Sequence, residues 1–199
     1  QILGNMQLTT TSGTLYLNSV NSLASINIVT VTGNVKGSAV VANHFEMHSQ
    51  SGSVEIIVML LGVGLKSLAP PNQGPPTVIV ATETGDITLE GMQGISNPAD
   101  ARTLHIDLAT KAAGNVKVIM NGHGFLGQYA ISSLHGVQGV LIEGETMPAG
   151  LWSTRGCVPV PPGNAVTSSS VPPQTCPHGG QVKIQTLYGN AEFVVQSGP

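Results

Sequence analysis

One short figure recurs along the chain: a Thr or Ser three residues before a glycine, a small polar residue directly after it, and an aliphatic residue one step further on. It centres on Gly13, Gly33, Gly52, Gly85, Gly114, Gly136 and Gly189. The clearest copy is Thr82-Glu83-Thr84-Gly85-Asp86-Ile87. Five residues before the glycine stand Leu8, Ile28, Met47, Val80, Ile131 and Ile184, and two after it Leu15, Val35, Val54, Ile87, Val116 and Ala191. These positions predict inward-facing side chains on two strands joined by a tight corner. Glycine accepts positive φ at such a corner, and Asn34, Ser53, Asp86, Asn115 and Asn190 supply short polar side chains that bond turn backbone. Two copies are irregular. Thr110 lies one step too far from Gly114; Gln138 fills an apolar slot after Gly136, which leaves Gly139, followed by Val140-Leu141-Ile142, as another candidate corner.

A repeat constrains a fold because one unit cannot bury its own apolar face. The corners follow a basic period of about twenty residues, lengthened where loops are inserted, which suits an all-β solenoid or β-helix-like stack of about seven strand-turn-strand units. A sandwich or a set of independent hairpins carries the same local signature. The alternating Ile26, Ile28, Val29-Thr30-Val31-Thr32 run favours strand, and so does Leu104, Ile106, Leu108 interleaved with His105 and Asp107. No long helix is expected. The chain reads as a single β-repeat domain, 1–199, with inserted loops at 66–76 and 91–103 and a long Pro/Ser-rich loop at 143–180.

Charged residues make up only 9% of the chain and the formal net charge is −3, so no basic stripe supports nucleic-acid binding. The most apolar run, Val54 to Leu65, is shorter than the ~20 residues a membrane span needs. It reads as a buried strand and its exit loop. Beginning at Gln1, the chain reads as a processed or excised segment. Cys157 and Cys176 bracket much of the long insertion, and a disulfide between them would constrain it by about 3 kcal/mol in loop-entropy terms. Zinc needs more ligands than His178 adds. The pair therefore predicts an oxidising, extracellular setting, secreted or at the cell surface.

The recurring figure, in Ser49-Gln50-Ser51-Gly52-Ser53-Val54, Thr82-Glu83-Thr84-Gly85-Asp86-Ile87 and Thr186-Leu187-Tyr188-Gly189-Asn190-Ala191, resembles that of a family of adhesin-like surface proteins of unknown function. The resemblance covers nearly all of the chain outside 143–180. It implies a repetitive β-solenoid and a structural or adhesive role. The family has no established catalytic residues, so none are carried over.

Catalysis finds little support in the residues themselves. Carbohydrate-active β-helix enzymes need clustered carboxylates or bound calcium, whereas Glu83 with Asp86 and Glu143 with Glu145 are separate pairs that read as solvated strand ends. His44, Glu46 and His48 share one strand face, which would permit a metal or proton site but reads as the exposed polar face of a sheet. His105, His123, His135 and His178 show no ligand spacing. Gly122-His123-Gly124 lacks the helix and acidic partner of a dinucleotide site, and there is no nucleophile elbow. Trp152, Tyr16, Tyr129 and Tyr188 are few for a carbohydrate-binding module, and Thr and Ser around 167–170 are candidates for O-glycans. No cofactor is expected. Both Gln1–Leu17 and Ala191–Gln196 read as uncapped edge strands, which predicts a homo-oligomer or end-to-end polymer, with cell-surface polysaccharide as a further partner.

Overall fold

The computed structural model describes residues 4–20, 22, 24–41, 44–61, 77–94, 104–121, 127–142, 145–146, 153–158 and 180–196. Strands β1 (Met6–Thr10) and β2 (Leu15–Asn18) flank Gly13; β3 (Ser25–Thr32) and β4 (Val35–Val41) flank Gly33; β5 (His44–Ser51) and β6 (Val54–Leu61) flank Gly52. Next come β7 (Thr77–Thr84) and β8 (Ile87–Gly94) about Gly85, β9 (His105–Ala113) and β10 (Val116–Asn121) about Gly114, and β11 (Gly127–Ser133) and β12 (Gln138–Ile142) about Gly136. Two short strands follow, β13 (Glu145–Thr146) and β14 (Ser153–Cys157), before β15 (Gly180–Tyr188) and β16 (Ala191–Gln196) enclose Gly189. The described residues contain no helix, and none long and apolar enough to cross a membrane.

The fold is all-β, built from two open, mainly parallel sheets. One runs β1-β3-β5-β7-β9-β15-β11-β14 and the other β13-β12-β16-β10-β8-β6-β4-β2. The strands flanking a corner therefore lie in different sheets, and each pairs with its counterparts in neighbouring units. Independent hairpins are excluded, because no two strands flanking one corner are hydrogen-bonded neighbours. Each strand–corner–strand unit is an arch. Alternation sends one row of each strand inward: β5 buries Phe45, Met47 and Ser49 and β7 buries Val78, Val80 and Thr82. The inward rows form one apolar cluster that draws on both sheets.

Even the corners are bonded from arch to arch. Gly33 N–H donates to the Ser51 carbonyl (3.0 Å), Gly52 to Thr84 (3.1 Å), Gly85 to Ala113 (2.8 Å) and Gly114 to Tyr188 (2.8 Å). Six of the seven glycines have positive φ, from 93° at Gly13 to 151° at Gly114. Gly136 is the exception, yet it keeps the stacked position, since a Cβ there would collide with the Gly189 carbonyl. Gly139 is not a corner. It lies within β12, paired with Glu192, and a Cβ there would meet only the Glu192 Cγ at 3.8 Å.

The recurrent hydroxyls are in register, half-buried at Thr10 and buried at the rest: Thr10, Thr30, Ser49, Thr82, Thr110, Thr186 and Ser133 are successive partners across the sheet. All but Thr30 donate to carbonyls or hydroxyls at the corners. Ser49 donates to Ser51 O (3.1 Å), Thr82 to Gly85 O (3.3 Å) and Ser133 to Gly189 O (2.7 Å), while Thr186 donates to Gly114 O (2.9 Å) and accepts from Thr110 (2.8 Å). The displaced Thr110 is accommodated by a register shift in β9, where Thr82 pairs with Thr110 but Thr84 pairs with Ala113. The Asn or Asp after Gly33, Gly85, Gly114 and Gly189 bonds the next arch in the stack. Ser53 N–H donates to Asn34 Oδ1 (2.9 Å), Asn115 N–H to Asp86 Oδ1 (2.7 Å) and Asn190 N–H to Asn115 Oδ1 (2.9 Å).

Three expectations about the chain path change. The last arch, β15–β16, is not an end: β15 lies between β9 and β11, and β16 between β10 and β12. Periodicity along the chain carries no information on spatial order, so the Ala191–Gln196 edge is interior. Within 143–180, β13 runs antiparallel to β12 and β14 antiparallel to β11, closing that end with short reversed strands. Buried Gln138 is accounted for here, because Thr154 of β14 donates to its Oε1 (2.9 Å) and its Nε2 donates to Ser133 O (3.4 Å). Finally, β8 continues through Gly94, so the first residues of the expected 91–103 loop are strand. The 66–76 loop lies outside the described residues.

Thr30 tests the hydroxyl ladder, because its Oγ1 is buried and has no partner among the described residues. Thr82→Val should cost about 1–2 kcal/mol, the order of a buried hydrogen bond lost with its acceptor left in place. Thr30→Val should be neutral or stabilising, removing a hydroxyl that was already unpaired. Urea midpoints of the two variants compare them directly; equal losses would refute the ladder.

Candidate functional site

The outer face of the first sheet carries the densest grouping of side chains able to bind or titrate. Because β5 turns Phe45 and Met47 inward, His44, Glu46 and His48 all face out. Glu46 gathers its neighbours: His48 Nε2 stands 2.9 Å from Oε1, His44 Nε2 3.5 Å from Oε2, and Asn27 Nδ2 of β3 donates to Oε2 at 3.4 Å. The hydrogen bond from His48 holds the Glu46 carboxyl below its usual range, against the opposing effect of partial burial, with His44 adding a smaller pull in the same direction. Both imidazoles are directed at the carboxylate oxygens, so the trio is a hydrogen-bonded cluster. Among the described residues no three His, Cys, Asp or Glu side chains are grouped to hold a metal ion.

Beside this cluster a shallow groove of about 300 Å³ crosses β3, β5 and β7 towards β9. Small Ala81 lets it form, and Val29, Val31, His48, Gln50, Glu83 and Lys111 flank it. Further along the same face Lys183 pairs with Asp107 (3.2 Å), while the second sheet carries Lys36 with Glu55 and Lys117 with Glu192, both at 2.9 Å. These bridges join adjacent strands in register. All are exposed, so each contributes little to stability.

The described carboxylates are not grouped into one site. Asp86 is engaged in the corner, where its Oδ1 accepts from both the backbone and the side-chain amide of Asn115. Glu83 lines the groove instead. Glu145 pairs with Ile142 on β13, and Glu143 lies outside the described residues. His105 sits half-buried on β9; His123, His178, Trp152 and residues 167–170 lie outside the described residues. Cys157 ends β14 opposite Gln128, and Cys176 lies outside the described residues.

Sequence reading passed over the aromatic pair at the corner edge. His135 and Tyr188 stack at 4.6 Å with an 11° interplanar angle, beside exposed Leu134 and Val137. Both stand immediately before a corner glycine, which is the signal that aligning the seven copies contains. Tyr129, by contrast, is core: it packs 5.7 Å from Phe193 and against Gly156, and burial raises its hydroxyl pKa.

The two ends of the stack differ. At one, β1 and β2 each pair on one side only among the described residues, with β3 and β4. Half-buried Met6, Leu8 and Leu15 pack against the core there, and Tyr16 is 65% exposed. Gly13 is the one stacked corner with nothing within 4 Å of where a Cβ would lie. At the other end β13, of two residues, and β14 run antiparallel to the stack. Short reversed strands are poor templates for further pairing, whereas β1–β2 presents regular edges that are unpaired among the described residues.

The lowered Glu46 carboxyl fixes the sign of one pH effect. Its folded state binds the proton less readily than the unfolded state, so its contribution is complete above the ordinary value of 4.5 and disappears as pH falls through the lower folded value. Glu46→Gln should therefore flatten the wild-type fall in urea midpoint below that pH; an unchanged slope would show that the cluster does not stabilise the fold. No protein-family model, curated protein or solved structure matches the chain.

Proposed function

We propose that the chain is an extracellular, adhesin-like structural protein, a β-solenoid in a single domain spanning 1–199 that acts through its surface and its open β-edge. The observation that supports this reading is the asymmetry of the stack: regular strands β1 and β2, unpaired on one side among the described residues, at one end and short antiparallel strands at the other. Unpaired strand edges with half-buried apolar side chains recruit further strands. The role proposed is structural rather than catalytic, and a carbohydrate-active β-helix enzyme is the competing reading. Weak charge and an abundance of outward hydroxyls and amides suit contact with a neutral partner, and cell-surface polysaccharide is the class proposed. Neither nucleic acid nor a cofactor has a part in this reading.

The same proposal pairs Cys157 with Cys176. An extracellular setting permits the disulfide, which would constrain the segment between β14 and β15. Peptide mapping of the unreduced chain reads the pairing.

Light scattering on the purified chain should show self-association that rises with concentration. Replacing outward Gln7 and Thr9 of β1 with lysine, which blunts an edge without touching the core, should weaken it at least several-fold. A strict monomer at millimolar concentration would refute assembly.

A further inference from the structure

The buried hydroxyls index a second row of side chains on the outside of the first sheet. Thr30, Ser49, Thr82, Thr110, Thr186 and Ser133 are partners in register and point inward. The residue after each therefore faces out, beside its counterparts in the neighbouring arches. That row reads Val31, Gln50, Glu83, Lys111, Leu187 and Leu134 along the β3-β5-β7-β9-β15-β11 run of the sheet. It spans five interstrand spacings, about 24 Å.

Exposed apolar side chains concentrate on this border of the sheet. Six large hydrophobics are exposed among the described residues, and five of them, Val29, Val31, Leu134, Val137 and Tyr188, lie along the row or at the corner that ends it; Tyr16 is on the other sheet. The charges differ too. Lys36, Lys117 and Lys183 are bridged to carboxylates, whereas Lys111 and Glu83 are in no ion pair among the described residues. The groove at Ala81 forms one part of the row. The aromatic pair forms the other. His135 covers one face of the Tyr188 ring at 4.6 Å, close to the strand spacing of ~4.8 Å, so the rings lie across the stack. β11 is on that side of β15; β9 is on the opposite side, where Tyr188 is in register with Ala113. Exposed Ala113 carries only a methyl group, which leaves the second face of the Tyr188 ring open above it.

We infer that this border is a binding strip for a linear, neutral polysaccharide of equatorially linked pyranoses, with Tyr188 as its stacking platform and the groove as its hydrogen-bonding part. The inference rests on the polysaccharide reading above and names the site. A pyranose with equatorial substituents presents a flat C–H face, which packs on an open aromatic ring. Its rim of hydroxyls meets the amide of Gln50, the carboxylate of Glu83 and the ammonium of Lys111 in the groove. Equatorial linkage keeps such a chain extended, matching a straight row, whereas axial linkage curves it away. Glu83 and Lys111 carry opposite charges that cancel, so the strip offers hydrogen-bond partners without a net charge and favours a neutral chain over an acidic one.

Calorimetric titration of the whole chain with cellohexaose and with maltohexaose tests the strip. Cellohexaose should bind and maltohexaose, whose axial links curve it, should bind several-fold more weakly. Tyr188→Ala should weaken cellohexaose binding about tenfold, the order of one aromatic contact with its buried area, while Tyr188→Phe keeps it. Gln50→Ala combined with Glu83→Ala should weaken it at least several-fold. Tyr16→Ala removes the exposed tyrosine of the second sheet and should leave binding unchanged. If Tyr188→Ala fails to fold, the groove variant and Tyr16→Ala make the comparison. Should cellohexaose bind the wild type, Tyr188→Ala and the groove variant alike, the polysaccharide reading stands and the site is wrong; equal binding of maltohexaose would refute the equatorial preference. Should neither hexasaccharide bind at millimolar concentration, the site and the polysaccharide reading both fail, and a loss of self-association in Tyr188→Ala would then make the strip a contact between copies.

Discussion

A column of glycines at van der Waals limit organises this protein. At Gly33, Gly52, Gly85, Gly114, Gly189 and Gly136 an added Cβ would lie inside the carbonyl oxygen of the preceding corner in the stack, so the arches approach as closely as backbone permits. Positive φ alone would ask for glycine at most of these sites. Stacking asks for it again, for a separate reason. Once the corners are superposed, their flanking strands can only run parallel and in register, and the apolar rows of both sheets meet in one core.

Stacking raises a problem of polar groups that composition answers. A tight corner leaves carbonyls no strand can reach, and burying them unpaired would cost about 1–3 kcal/mol each. Inward Thr82, Ser133 and Thr186 meet the carbonyls from inside, and Asn34, Asp86, Asn115 and Asn190 meet amides of the next arch from outside. Short side chains do this where long charged ones would not fit, consistent with a chain only 9% charged. Where the stack ends the chemistry changes: Gln138 replaces the apolar residue and is bonded by Thr154 from the closing strand.

Much of this was legible in the sequence. The figure around Gly85 identifies corner, hydroxyl and inward aliphatics together, because each has its own physical requirement. Leu104, Ile106 and Leu108 were legible by alternation alone, and all three are buried. Spatial order was not, since β15–β16 repeats the same figure wherever it sits, and neither was Gly139, whose identity fits a corner but whose neighbours place it in β12. The cluster at His44, Glu46 and His48 was visible as a shared face; that its imidazoles are drawn to one carboxylate depends on rotamers no spacing encodes. The His135–Tyr188 stack joins residues far apart in the chain that become neighbours only after β15 is inserted.

The two ends of the stack differ, one regular and unpaired among the described residues, the other closed by reversed strands, and the last arch of the chain sits in the interior. All of it presupposes the stacked column. Gly13 and Gly52 share positive φ, but only Gly52 would drive a Cβ into its neighbour's carbonyl. Equilibrium unfolding of alanine variants at the two sites separates the causes. Gly13→Ala should lose only the conformational penalty, about 1–2 kcal/mol, and Gly52→Ala roughly 2–3 kcal/mol more, with Gly139→Ala close to wild type. Equal losses at Gly13 and Gly52 would mean that the corners do not stack.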